Sequence, residues 1–265
     1  VRIRQEGAMI AFEHVTKRYG ERLALDDVTW RMDEGECAVL LGHSAAGKTT
    51  VLRLIMHETQ PTSGVVTVGT FRGGRLTRAH RALLRRTIGV IYEDFRLLPD
   101  RTVYENVALS LYIAGHYTDA EVTPKVRRAL EEAGLDAQRD LLPAELSFGE
   151  RQRCAIARAI VMRPALILAD EPTGALEPKS AAEVLSLLLR IQHEGAALLV
   201  GTTRAEVANV IGGRRYVLEE GQMREVTPGA SPVPAPSPPR AAAAAGDVPM
   251  PQPPDLSTPP AAGGA

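Results

Sequence analysis

The sequence predicts an α/β fold: a mostly parallel sheet flanked by helices, with an antiparallel β edge and an inserted helical lobe. Three observations carry this. Short apolar runs bounded by glycine or acidic residues alternate with segments of helical spacing, and strands alternating with helices imply a mostly parallel sheet covered on both faces. A glycine-bounded turn, Gly42 to Thr49, joins one such run to one such helix. A second apolar run, Leu166 to Ala169, ends in two carboxylates, Asp170 and Glu171.

In chain order, the polar stretch Val1 to Ala8 lacks a clear period, and the expectation is a disordered extension over residues 1–8. Met9 opens the first credible strand, IAFEHV. ECAVLL, Glu36 to Leu41, reads as a buried strand, and Lys48 to His57 as the helix after it. Val65–Val68 and Ile88–Ile91 are strand-like. From about 93 to 162 the signals are helical, and this stretch is the expected lobe. Thr102-Val103-Tyr104-Glu105 has the spacing of a capping box, in which the hydroxyl and the carboxylate each satisfy a free backbone N–H of the first turn. Val122 to Ala133 is a helix ending before Gly134. Ala165–Ala169 and Ala196–Gly201 read as buried strands around a helix over about 179–193. The globular domain is placed at 9–227. From Pro228 to Ala265 proline and alanine dominate. Such a segment buries too little apolar surface to offset its ordering entropy, so a disordered tail is expected.

Composition narrows the function. The formal net charge is −1, without the basic excess of a nucleic-acid binder. Arg72, Arg75, Arg78, Arg81, Arg85 and Arg86 form a local basic run, read as a solvated helix face rather than a lipid or nucleic-acid site. Cys37 and Cys154 form no CxxC pair, so a metal site of that kind is not expected and both are read as small hydrophobes. No apolar run approaches the roughly 18 residues needed to cross a bilayer. Any membrane role is therefore assigned to a partner.

Gly42-His43-Ser44-Ala45-Ala46-Gly47-Lys48-Thr49 fits G-x-x-x-x-G-K-[ST] in full, after a strand and before a helix. In this setting the N–H groups of a tight loop and of a helix N-terminus converge on one anion. The expected ligand is ATP with Mg²⁺. The candidate contacts are Gly42, His43, Ser44, Ala45, Ala46, Gly47, Lys48, Thr49 and Thr50. Lys48 is assigned to the β- and γ-phosphates, Thr49 to Mg²⁺, and His43 to a bystander role. Asp170 is the candidate Mg²⁺ holder, and Glu171 the candidate general base for the attacking water. The fold class then becomes that of a P-loop NTPase.

Leu146-Ser147-Phe148-Gly149-Glu150 precedes the helix RQRCAIARAIVMR. Ser147 and Glu150 are spaced as a capping box, and the same helix start is a second anion site. Together, GHSAAGKTT, LSFGERQRCAIARAI and LILADEPTGALE resemble an ABC-transporter ATPase over about Met9 to Thr227. The resemblance implies a head-to-tail homodimer in which Ser147 and Gly149 of one copy contact the γ-phosphate held by the other. It assigns Tyr19 to stacking on adenine, although a core tyrosine fits the sequence as well. It places Glu93 near Mg²⁺ and Thr203 beside the attacking water. Finer similarity, in EDFRLLPDRTVYENVALSLYIAG and ILADEPTGALE, is to the FtsE group of cell-division ATPases. That implies an FtsX-like membrane partner, a place on the cytoplasmic face of the membrane, and control of cell-wall hydrolases. Subunits of lipoprotein-release and macrolide exporters are close alternatives. An ATP-gated scaffold with little hydrolysis is another. A soluble ABC ATPase of DNA maintenance is excluded because the chain has no room for a long coiled-coil insertion.

Four positions depart from the family pattern. Glu93 stands for glutamine, Phe148 for the first signature glycine, Glu177 for aspartate and Thr203 for histidine. Threonine offers one hydrogen bond but no positive charge; retained ATP binding with slow hydrolysis is one expectation, and ordinary hydrolysis for which Lys48, Asp170 and Glu171 suffice fits the sequence equally well.

Overall fold

A computed structural model describes residues 8–73, 76–115 and 117–227. Residues 1–7, the tail from 228, and Arg75 of the basic run lie outside the described residues. Two sheets form the frame. The first is antiparallel, with β1 (Ala8–Tyr19), β2 (Arg22–Asp33), β4 (Ser63–Val68) and β5 (Phe71–Arg72) in the order β2-β1-β4-β5. The second has six strands, ordered β10-β9-β3-β8-β7-β6. These are β3 (Cys37–Leu41), β6 (Ile88–Ile91), β7 (Leu166–Asp170), β8 (Ala197–Thr202), β9 (Arg214–Glu219) and β10 (Gln222–Val226). Five of the six run parallel, and β10 is antiparallel to β9. This is the expected α/β architecture, antiparallel edge included.

The helices are α1 (Lys48–Ile55), α2 (Arg78–Thr87), α3 (Val103–Ala114), α4 (Asp119–Glu132), α5 (Phe148–Ile160), α6 (Pro178–His193) and α7 (Ala205–Ile211). They divide between the faces of the six-stranded sheet, and β7 shows why. Side chains alternate along a strand. Leu166 and Leu168 pack with α1 and the antiparallel sheet, beside Phe12, Leu25 and Ile55. Ile167 and Ala169 pack on the opposite face with α3, α5 and α6, beside Val107, Ile156 and Leu188. Both faces are buried, so the strand is apolar until it emerges at Asp170.

Between β6 and β7, α3, α4 and α5 supply the helical segment, and no strand falls there among the described residues. The capping box at Thr102 is present: Glu105 N donates to Thr102 Oγ1 (3.2 Å) and Thr102 N to Glu105 Oε2 (2.8 Å). Fully buried Asn106 accepts from Leu98 N (2.8 Å) and donates to Leu98 O and Arg101 O (3.1 and 2.9 Å). It thereby ties the loop after β6, which carries Glu93, to α3. Burial pushes the Cys37 thiol up to about 11 and the Cys154 thiol up to about 12, so both stay protonated and pack as apolar groups.

Candidate active site

The loop after β3 is shaped by its glycines. A Cβ on Gly42 would lie 2.6 Å from Leu218 O, and one on Gly47, where φ is 115°, would lie 2.6 Å from Ala24 O. Neither position accepts a side chain. Ala45 sits at φ 66°, a left-handed conformation that costs a non-glycine residue about 1 kcal/mol. Ala46 N donates to His43 O (3.2 Å) and closes the turn. α1 then starts with no side-chain cap and no acidic residue in its first turn. Its free N–H groups and positive dipole end therefore remain for an anion.

Lys48 folds back over this loop. Its buried Nζ donates to Gly42 O (2.9 Å) and His43 O (3.2 Å) and lies 3.3 Å from Glu171 Oε1. Thr49 Oγ1 donates to Asp170 Oδ2 (2.7 Å). The two motifs, 121 residues apart in sequence, thus meet through one hydrogen bond and one ion pair. The topology dictates this: β8 alone separates β3 from β7, and the loops at the carboxyl ends of parallel strands share one crevice. His43 is exposed, with Nδ1–H donating to Ser44 O (2.6 Å).

A cleft of about 400 Å³ extends from the loop past Thr50 to Tyr19. Tyr19 is 42% exposed, with Lys17 Nζ 4.7 Å above its ring. It is a surface ring at the cleft wall and not a core tyrosine. Arg22, which the sequence reading passed over, also lines the cleft and donates from Nη2 to Ala45 O (2.7 Å).

Glu171 sits at φ 44°. Its N–H donates to Gly201 O (2.8 Å), and its Oε2 accepts from Thr202 Oγ1 (3.0 Å). Thr202 is fully buried, whereas Thr203 is exposed; the threonine that touches Glu171 is the one the sequence reading did not single out. Glu93 is exposed and faces the same turn: a Cβ on Gly174 would lie 3.6 Å from Glu93 Oε1 and 3.5 Å from Glu171 Cβ. Among the described residues no three His, Cys, Asp or Glu side chains converge as a metal cage. That suits Mg²⁺, which takes few protein ligands and fills the rest of its octahedron with water and phosphate oxygens. Thr49 and Asp170, paired directly, are the residues that fit it. The charge of such an ion would offset that of a triphosphate.

Ser147 caps α5. Its Oγ accepts from Glu150 N (3.3 Å) and donates to Glu150 Oε2 (2.7 Å), while Ser147 N donates to the same oxygen (2.8 Å). These bonds from the Ser147 hydroxyl and backbone hold the Glu150 carboxyl below its usual range. A carboxyl depressed in the folded state contributes stability above its unfolded pKa and loses it as pH falls through the folded value. Acidification below the ordinary carboxylate range is therefore expected to fray the first turn of α5. Amide exchange at Glu150 and Arg151 measures this, and Glu150→Gln should remove the pH dependence.

Gly149 is buried against α6, and a Cβ there would lie 2.8 Å from Ser180 Oγ. Gly149→Ala is expected to cost about 1–3 kcal/mol by overpacking. Denaturant unfolding checks this, and Ser180→Gly in the same chain should recover most of the loss. Phe148, where the family has glycine, is 56% exposed and meets Phe95 edge-on at 6.0 Å. Among the described residues, no hydrogen bond or ion pair joins Ser147 or Gly149 to the Gly42–Thr49 loop.

A loop and acid pair of this geometry have known counterparts. The ABC transporter family model matches residues 25–174, from β2 through the turn after Glu171. This chain belongs to the ABC transporter ATPase family. It is closely related to FtsE-family ATPases: it is 43% identical over 219 residues to the cell division ATP-binding protein FtsE of Mycobacterium tuberculosis, covering 81% of this chain and 94% of that protein. It is 42% identical over 216 residues to FtsE of Escherichia coli, covering 81% and 97%. The methionine import ATP-binding protein MetN of Cutibacterium acnes is 39% identical over 221 residues, covering 82% of this chain and 60% of MetN. Among solved structures, a bacterial ABC transporter cassette in dimeric form superposes with a TM-score of 0.76 at 35% identity, covering 82% of this chain and 98% of that one. A dimeric post-hydrolysis state of an ATP-binding cassette, bound to ADP and Pi, superposes with a TM-score of 0.75 at 33% identity and the same coverage. No described helix of this ABC ATPase is long and apolar enough to cross a membrane.

Proposed function

We propose that this chain is the motor subunit of an FtsE-like membrane complex, in which ATP closes a head-to-tail homodimer. One observation carries this reading. The phosphate loop, Thr49, Asp170 and Glu171 form one connected cluster, while the Ser147–Gly149 helix start is engaged with Glu150 and Ser180 and with nothing in that cluster. Each chain holds two half-sites that a second copy completes. Tyr19 would take the adenine, Lys48 the β- and γ-phosphates, Thr49 and Asp170 the Mg²⁺ with Glu93 alongside, and the other copy's signature helix the γ-phosphate. Sedimentation of the full chain with Mg-ATP tests the pairing: dimers that form with nucleotide and are lost in Ser147→Arg support it, and a monomer at saturating nucleotide would sink it.

The partner is proposed to be an FtsX-like membrane protein at the cytoplasmic face, through which nucleotide-driven motion reaches cell-wall hydrolases. Ile113, 74% exposed on α3, lines a cleft with Ala82 and Arg85 of α2 and offers such a partner an apolar contact beside a positive charge. Reconstitution with an FtsX-like protein, or with an exporter-type one, discriminates the division role from lipoprotein or macrolide export.

A second reading, an ATP-gated subunit with slow hydrolysis, is favoured by the exposed Thr203 in place of histidine and by Glu93 and Glu177. Thr203→His is expected to raise turnover ~10-fold or more by restoring an acid–base group. Turnover unchanged in that variant would show that Thr203 is not what limits the rate.

A further inference from the structure

The turn after Glu171 is held at more points than the family motifs account for, and the end of β8 with the residues just after it supplies them. Thr202 ends β8 between the two functional strands. It is registered with Leu41 of β3, and its neighbour Gly201 with Asp170 of β7. Its hydroxyl, in a fully buried side chain, has one proton to give and donates it to Glu171 Oε2 (3.0 Å). Thr202 Oγ1 itself accepts from Arg204 N (3.1 Å), and Arg204 Nη1 donates to Thr173 O (3.0 Å). Glu171 is thus gripped at its carboxylate by Thr202, while the chain two residues on is gripped by Arg204. The other carboxylate oxygen, Oε1, faces Lys48 Nζ at 3.3 Å.

We propose that Thr202 is a positioning residue for ATP hydrolysis: its hydroxyl aims the Glu171 carboxylate at the attacking water, and Arg204 holds the Glu171–Gly174 turn in the conformation that this aim requires. This rests on the hydrolysis reading given above. The physical need is plain. Glu171 leaves its strand with φ in the left-handed region, which costs a non-glycine residue free energy unless surrounding bonds enforce it. A glutamate side chain also has considerable rotamer freedom to lose, and a base out of line by about 1 Å forfeits ~10²-fold in rate. A buried hydroxyl bonded to a charged oxygen is a strong enough restraint to hold one rotamer. Strand alternation makes the two threonines non-equivalent: Thr202 points into the crevice between β3 and β7, and Thr203 is at the surface.

The test uses the full chain with Thr202→Val, which keeps the shape and removes the hydroxyl, and with Thr202→Ser, which keeps the hydroxyl. Expected for Thr202→Val is a kcat lower by ~10–100-fold, the worth of one bond to a charged group, with KM and Mg-ATP affinity little changed. Thr202→Ser should recover most of the rate. Crystal structures without nucleotide add a readout independent of turnover: Glu171 in one rotamer in the natural chain and in Thr202→Ser, and in several in Thr202→Val. An unmoved Glu171 in Thr202→Val, or a Thr202→Ser variant as slow as Thr202→Val, would overturn the proposal. So would a natural chain whose crystal structure lacks the Thr202–Glu171 bond, which keeps the test decisive if the valine variant does not fold. A natural chain that binds Mg-ATP without turnover would sink the hydrolysis reading alone, and the crystallographic comparison would still decide what Thr202 does to Glu171.

Discussion

Lys48→Met is expected to remove measurable Mg-ATP binding while leaving the fold intact. Lys48 Nζ is buried on the phosphate side of the loop and aimed by two carbonyl bonds, to Gly42 and His43. Hydrogen bonds to charged groups contribute about 1.5–3 kcal/mol each. Losing two such contacts to phosphate oxygens therefore weakens affinity by ~100-fold or more. Methionine keeps an unbranched side chain of similar length without the charge. Glu171 loses its ion-pair partner but keeps Thr202, and removing one partner of a paired group costs about 1–3 kcal/mol. Calorimetric titration with Mg-ATP, alongside thermal unfolding, checks both parts. An affinity within threefold of the natural chain would remove the loop from the mechanism, and with it the functional reading.

Glu171→Gln separates binding from chemistry. Glutamine keeps the size and an acceptor for Thr202 but cannot take a proton from water. Turnover is expected to fall by ~10²–10⁴-fold, the usual contribution of a positioned general base. Mg-ATP affinity should be retained, since Lys48, Thr49 and Asp170 are untouched. With hydrolysis stalled, the nucleotide-bound dimer should accumulate, and sedimentation with Mg-ATP would show it. Turnover within a few-fold of the natural chain would move the role of base to another group. On the slow-hydrolysis reading, the drop would be compressed toward the lower end of that range.

These two expectations rest on residues readable from the chain because their chemistry is local. The loop needs only eight consecutive residues, and its cradle is made of backbone N–H groups whose directions follow from two glycines and a helix start. The acid pair is the end of an apolar strand. The capping boxes at Thr102 and Ser147 are equally contiguous, and both are present. The edge strands were harder to read. β2 carries charged residues between its apolar ones, and β10, QMREV, has little apolar content at all. Such strands are set by their neighbours, here β1 and β9, because pairing and one-sided burial dominate over intrinsic preference.

By itself the sequence determined the fold class, the phosphate loop, the acid pair and the signature helix, since each is written in a run of a few residues with its own backbone geometry. Only the tertiary structure decided which of two adjacent threonines serves Glu171, that Arg22 lines the nucleotide cleft, that Tyr19 stands at the surface, and that Gly149 is a contact with Ser180 as well as a candidate ligand. Each of these depends on which strand or helix lies beside another after more than twenty intervening residues. Side-chain direction at a strand end and close approach between helices are properties of that juxtaposition, and no local spacing encodes them.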